Sequence, residues 1–295
     1  MKQVIGVDVG GTAIKLGRFT EVGECLTSLT VPTPQPQLPE PVLKAVVAAI
    51  QTLDPDGLAA AVGLGTPGPA CPKRRTARIA INLPEWIDVP VADWLEPRLD
   101  RPVTLGNDAN CAGLGEAWLG AGRHFQNLIL LTLGTGCGGC VILNGELFTG
   151  HDGAGGELGL VTVNPDGPPC NSGNSGSLEQ YVSIGAVQRE MGMDPATLMA
   201  KAEAGDDGAI AFWQRYGQRL GIGLVSALYI LNPEAVIIGG GISAAAPWFL
   251  PATEAEIHQR IRPHYRRGLQ IRTAALGNQA GTVGAARLAL SRLCQ

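Results

Sequence analysis

Residues 4–18 read VIGVDVGGTAIKLGR, two short apolar runs joined by the pair Gly10-Gly11. Residues 128–142 read LILLTLGTGCGGCVI, the same plan with Gly134-Thr135-Gly136 at the turn. Apolar runs of this length bounded by glycines predict strands folded back as hairpins. Working outward, AVGLGTPG at 61–68 and AVIIGGGIS at 235–243 each predict a buried strand that ends in a glycine turn. Helical patterns are expected over 41–53, from 108 to about 119, over 207–231 and over 278–293. A strand–glycine-loop–strand unit thus occurs twice, each followed by a strand and a turn. That weak internal symmetry predicts an α/β chain of two related lobes whose glycine turns face one central cleft. The expected lobes are residues 1–118, with the last helix (about 278–295) packing back on them, and residues 119–277.

Bulk properties narrow the function. The chain has 295 residues, 45% hydrophobic and 16% charged, enough apolar material for sizeable cores. A formal charge of −4 argues against a phosphate-binding surface for nucleic acid, and Lys73-Arg74-Arg75 reads as three solvated charges. No signal peptide opens the sequence, and the longest apolar-rich stretch, 220–231, is too short for a bilayer, so no membrane partner is expected. Seven irregularly spaced cysteines make no disulfide framework. A soluble cytoplasmic protein is the expectation.

Glycine-rich loops let backbone amides approach an anion, which suits phosphates. In the first loop Asp8 is placed to hold hydrated Mg²⁺, and Thr12 and Lys15 to reach phosphate oxygens; a tight hairpin with an exposed lysine is the plainer alternative. The second loop spells G-x-G-x-x-G, but CVILNGELF after it is strand-like. A dinucleotide fingerprint needs a helix there, so that reading fails. Gly239-Gly240-Gly241 suits either a flat base or a sharp turn. Asn107-Asp108, between a strand and a helix, reads as a helix cap or as a carboxylate that accepts a substrate proton. Glu157 and Glu179 lie among glycines, as surface acids or as grips for sugar hydroxyls. Cys137-x-x-Cys140 precedes a strand rather than a helix, so two packed thiols are expected instead of a redox pair.

Eight stretches, VDVGGTAIK, GLGTPG, NLPEW, NDAN, LTLGTGCGG, GAGGELGL, GSLE and IIGGGIS, follow one another in an order that resembles the ROK family of sugar kinases and related repressors. The resemblance runs from about residue 4 to the last helix. It implies an actin-like, hexokinase-like ATPase fold and an ATP-dependent hexose kinase acting on a 6-hydroxyl, glucose being the expected sugar. By resemblance Asp108 is the general base, and Gly65, Thr66, Asn82, Asn107, Glu157 and Glu179 contact the sugar. Asp8, Gly10, Gly11, Thr12, Lys15, Thr132, Gly134, Thr135 and Gly136 resemble the ATP phosphate cradle, with Mg²⁺ brought by ATP near Asp8. Gly239, Gly240 and Gly241 resemble the adenosine edge. A homodimer is implied by the family alone.

The segment 170–180, CNSGNSGSLEQ, departs from that pattern. Most members hold structural zinc with a histidine and three cysteines. Here the histidine position is Leu160, two cysteine positions are Ser172 and Ser177, and only Cys170 remains. One thiol and two hydroxyls do not make a zinc site, so no structural zinc is expected. Leu160 also leaves the sugar open: mannose, fructose, an N-acetylated hexosamine, or polyphosphate as donor stay as alternatives. A repressor is not expected, since the first loop starts at Asp8 with no DNA-binding domain ahead of it. A non-catalytic sensor is disfavoured by the intact loops and Asp108.

Overall fold

The computed structural model describes residues 2–73, 75–79 and 83–293. In chain order the first elements are β1 (Gln3–Val9), β2 (Ala13–Thr20), β3 (Cys25–Pro32), α1 (Pro39–Leu53) and β4 (Ala59–Thr66). A small sheet of β5 (Ala70–Cys71), β6 (Thr76–Ile79) and β7 (Ile87–Val89) follows, then α2 (Val91–Leu99), β8 (Val103–Asn107) and α3 (Asp108–Leu119). The second part holds β9 (Leu128–Leu133), β10 (Cys137–Leu143), β11 (Glu146–Leu147), α4 (Glu179–Val182), α5 (Ile184–Met191), α6 (Pro195–Glu203), α7 (Asp207–Leu231), β12 (Ala235–Gly239), α8 (Ala246–Arg260) and β13 (Gln270–Thr273). The last helix is α9 (Ala280–Arg292).

Two compact units result. One comprises Met1–His124, Leu147–Gly156 and Ala275–Gln295, the other Phe125–Glu146 and Glu157–Ala274. Each is built on a five-stranded sheet, ordered β3-β2-β1-β4-β8 in the first and β11-β10-β9-β12-β13 in the second. In both, an antiparallel hairpin is followed by two strands added in parallel. The repeat seen in sequence is therefore a repeat of topology.

In the first unit the sheet is covered on both faces, so β1 is apolar almost throughout. Alternation sends Ile5, Val7 and Val9 to a core shared with α1 and α2. It sends Val4, with Ala61 of β4, to a core shared with α9. Gly6 and Gly63 follow on that same face. A Cβ at Gly6 would lie 2.0 Å from the Thr282 carbonyl oxygen, and one at Gly63 1.8 Å from that of Ala285. On the other side of α9, a Cβ at Gly115 of α3 would lie 2.4 Å from the Ala280 oxygen, and one at Gly284 1.5 Å from that of Cys111. Backbone thus meets backbone at four places, with no room for a side chain.

The second unit packs around α7, where Phe212, Trp213 and Tyr216 are buried, the last two against Phe249 of α8. The Gly217/Gly221 face admits α8: Cβ atoms there would meet the Phe249 carbonyl oxygen at 2.1 Å and the Glu256 Cβ at 2.7 Å. Two expectations are corrected. The strand-like run CVILNGELF, from Cys140, starts earlier than read: β10 begins at Cys137, because Gly138 and Gly139 pair with Thr132 and Leu131 in the ladder instead of prolonging the turn. Arg75 is not a solvated charge, since it bridges to Asp93 at 2.7 Å and Glu96 at 2.6 Å on α2; Arg74 lies outside the described residues.

Asp54, just after α1, is a buried charge that is fully partnered. Its carboxylate receives Arg18 at 2.8 Å, Arg101 at 2.6 Å, and the amides of Leu58 and Ala59. Burial works to raise its pKa, but the hydrogen bonds from Arg101, Ala59, Arg18 and Leu58 prevail and hold it at about 2. A depressed carboxylate stabilises the fold fully above its ordinary value of 3.8, and that stability is lost as pH falls through about 2. Asp54→Asn is expected to cost about 3 kcal/mol at neutral pH by stranding two arginines, and to flatten the acid limb of stability below pH 4. Urea unfolding against pH measures both. By the same assay Gly284→Val should cost at least about 3 kcal/mol. Gly185→Ala, on an exposed face of α5, should gain about 0.5 kcal/mol.

Candidate active site

The sequence-derived candidates of the first unit converge at the carboxyl ends of its parallel strands, where α/β sheets bind ligands. Register brings them together: Asp8 of β1 pairs with Gly65 of β4, and Thr66 of β4 with Asn107 of β8. Asp8 leaves β1 on the α9 face, where its carboxylate fills the space a side chain at Gly281 would take, 2.7 Å from that Cβ position. Burial raises the Asp8 carboxyl, against the attraction of Lys15 directly across the hairpin. Thr66 is fully buried, and among the described residues its hydroxyl has no hydrogen-bond partner. Gly65 gives Cys111 room, whose sulfur would lie 3.1 Å from a Cβ there. Asn82 lies outside the described residues.

Asn107 serves as the cap of α3: its side-chain oxygen accepts from the Asn110 amide at 3.0 Å. The capping reading is therefore right, and it leaves the Asn107 side-chain nitrogen free for a second task. That nitrogen donates to the Gly68 carbonyl at 3.1 Å and to Asp108 Oδ1 at 2.9 Å. The Ala109 amide donates to the same oxygen at 2.8 Å. Both bonds fall on Oδ1, which leaves Oδ2 the less engaged oxygen. Asp108 is open to solvent on one side while protein encloses the rest. Desolvation is the largest influence on its carboxyl and the Asp8 charge adds to it; the bonds from Ala109 and Asn107 pull the other way, and the result is about 6. A carboxylate with that value is ionised at neutral pH and still basic enough to take a proton.

The first glycine loop is held from behind. Thr33 Oγ1 donates to the Gly10 carbonyl at 2.7 Å, and Gln37 Nε2 to that of Gly11 at 3.1 Å. These residues belong to a proline-rich stretch, PTPQPQLPEP at 32–41, whose letters read as a connection between elements. The available signal was the recurrence of a polar side chain at every second residue: Thr33, Gln35, Gln37. Gly11 and Thr12 are exposed, and a Cβ at Gly11 would meet nothing within 4 Å.

In the second unit Thr132 pairs with Gly239. Gly134, Thr135 and Gly136 form the turn into β10, and a Cβ at Gly134 would also meet nothing within 4 Å. Gly136 is needed for another reason: Glu179 Oε2 would lie 2.5 Å from a Cβ there, and it accepts from the Cys137 amide at 2.9 Å. Glu157 and Glu179 both act electrostatically on the Cys137 thiol, which burial, Glu179 and Glu157 together push far up. Burial pushes Cys140 up to about 12. These are packed thiols. Gly240 has φ +82° and passes so near Leu133 that a Cβ would lie 2.3 Å from its carbonyl oxygen, whereas Gly241 faces open space.

The stretch from Cys170 to Glu179 keeps its path without a metal-like donor set. The Cys170 amide donates to the Asn174 carbonyl at 2.7 Å, Gly176 to Pro168 at 2.8 Å, and the Asn174 side chain to Thr162 at 2.8 Å. Ser172 donates to the Cys170 sulfur at 3.3 Å. Burial works to raise that thiol, but hydroxyls of Ser172 and Ser177 lower it, although the wholly buried Ser177 hydroxyl makes no bond of ordinary geometry. Leu160 closes a short 3₁₀ turn after Glu157. Among the described residues no group of three or more His, Cys, Asp or Glu is placed to hold a metal ion, and no helix is long and apolar enough to cross a membrane.

Two sheets of one topology, each with a glycine turn after its first strand, define an actin-like ATPase fold. The model of the ROK family matches residues 4–292, and the chain belongs to that family. A glucokinase of Thermotoga maritima is 35% identical over 99% of this chain and 98% of its own. Among solved structures, a ROK hexokinase from Thermus thermophilus superimposes with a TM-score of 0.87 at 34% identity, covering 99% of both chains. A ROK family glucokinase from Streptomyces griseus, in complex with glucose and AMPPNP, gives 0.84 at 32% identity, covering 98% of this chain and 99% of that one.

Proposed function

We propose that this sugar kinase transfers the terminal phosphoryl group of ATP to the 6-hydroxyl of glucose, with Asp108 as general base. The observation that carries the reading is the Asp108 carboxylate, with one oxygen pinned by Asn107 and Ala109, the other available, and a pKa of about 6. Similarity over almost the whole chain to glucokinases supports glucose as acceptor.

Oδ2 of Asp108 takes the proton of the 6-hydroxyl as that oxygen bonds to the γ-phosphorus; the bond from phosphorus to the β–γ bridging oxygen breaks and ADP leaves with its electrons. Asn107 keeps Asp108 in one rotamer, so the base is positioned before substrate arrives. Gly65, Thr66, Asn107, Glu157 and Glu179 are proposed to bind the sugar, and the Thr66 hydroxyl, without a partner among the described residues, suits a polar ligand. Asp8, Lys15 and the amides of both glycine loops are proposed to bind the phosphates, with Thr132 and Thr135 beside the second loop and Gly239 to Gly241 at the adenosine. A lone carboxylate such as Asp8 fits Mg²⁺ carried on ATP, because Mg²⁺ keeps most of its water and takes few protein ligands; when bound it neutralises phosphate charge.

Two measurements test this. Asp108→Asn should lower kcat by about 10³-fold, and wild-type kcat/KM for glucose should fall about tenfold per unit below pH 6, where the base becomes protonated. A flat profile down to pH 5 would refute the role. Gly11→Ala and Gly134→Ala place a methyl where protein leaves space, so unfolding midpoints should stay put, within about 0.5 kcal/mol. KM for ATP should rise about tenfold, as expected for disturbing a hydrogen bond to a charged phosphate.

A further inference from the structure

The proline-rich stretch after β3 sends three donors to two consecutive carbonyls of the first glycine loop. Thr33 Oγ1 reaches the Gly10 oxygen at 2.7 Å, and Gln35 and Gln37 reach the Gly11 oxygen at 3.3 and 3.1 Å. The Thr33 amide adds a bond to the Thr12 oxygen at 3.0 Å. A trans peptide is planar, with its C=O and the following N–H pointing in opposite directions. Pinning the Gly10 carbonyl therefore turns the Gly11 amide the other way, and pinning the Gly11 carbonyl does the same for the Thr12 amide.

Those two amides lie on exposed residues, and neither donates to a group among the described residues. Two successive amides facing one way form a concave anion site. A hydrogen bond accepted by a carbonyl also polarises its own peptide, which makes the opposed N–H a stronger donor. The brace itself is anchored. Thr33 is 4% exposed, and the Gln37 carbonyl accepts from the indole nitrogen of the wholly buried Trp86 at 2.8 Å.

We infer that Thr33, Gln35 and Gln37 are positioning residues that aim the Gly11 and Thr12 amides at the phosphate chain of the nucleotide. This rests on the reading that the first loop binds phosphate. The brace touches no substrate; it acts through the peptide planes it holds. Its energetic effect falls on ligands that carry a phosphate chain.

The test is calorimetric binding of ADP, inorganic triphosphate, adenosine and glucose to the full chain. Thr33→Val removes the hydroxyl but keeps the amide that holds Thr12, and Gln37→Met keeps the length of the side chain without its donor. The double variant should bind ADP and triphosphate about tenfold more weakly, as for a lost hydrogen bond to a charged group, while adenosine and glucose bind as to wild type. Equal weakening of all four ligands would make the brace merely structural and overturn the inference. Gly11→Val separates the two readings. If it weakens triphosphate binding and the double variant does not, the brace is wrong and the phosphate loop stands. If neither weakens it, the loop reading falls and takes the brace with it. Should the double variant not fold, Gln37→Met alone, at a surface-exposed bond, answers the same question.

Discussion

The approach of α9 to its own unit without intervening side chains is the constraint on which the rest hangs. Gly6 and Gly63 open the sheet face, and Gly115 and Gly284 open the contact with α3, so the helix lies against three elements at once. Its first turn then falls beside the Asp8 carboxylate, with Gly281 leaving the needed space. The start of α3 is held by the same packing, and Asn107 and Asp108 are placed with it. A few missing methyl groups deep in the unit thus decide where the acids at its strand ends stand. The tolerance is small, because packed interiors transmit displacements instead of absorbing them.

Polar side chains of the first unit do two things at once. Asn107 caps a helix with its oxygen and restrains the Asp108 carboxylate with its nitrogen. Glu116, fully buried, accepts from the Ala121, Ala275 and Leu276 amides, tying the end of α3 to the segment that leads into α9. Such double use ties one oxygen of Asp108 to the start of α3. Its elevated basicity is a by-product of enclosure, moderated by the two bonds that fix it.

Much of this was legible in the sequence. Long periodic elements such as α7, and strands bounded by glycines, declared themselves because burial on one or both faces dictates a pattern of fixed period. The motifs carried the candidate site residues in order. Short strands such as β5 to β7, and helices α5 and α6, did not show, since so few residues make no period. The start of β10 was missed because glycines in a ladder look like glycines in a turn. The role of Thr33 and Gln37 was hidden for a different reason: their partners are backbone carbonyls, which have no letter in a sequence. The contacts of Gly6, Gly63 and Gly284 were equally silent, because a glycine does not say which backbone it admits.

The discontinuity of the first unit has a bearing on biogenesis. The ribosome delivers β1, β4 and α3 early, and α9 only after the whole of β9 to β13 has emerged. Until then the face carrying Val4, Gly6, Ala61 and Gly63 has no cover, and Asp8 has no helix beside it. A nascent chain of this kind carries an apolar, glycine-scarred sheet through most of its synthesis, the sort of surface that chaperones retain. Maturation ends in a docking step, in which a late helix closes an early sheet.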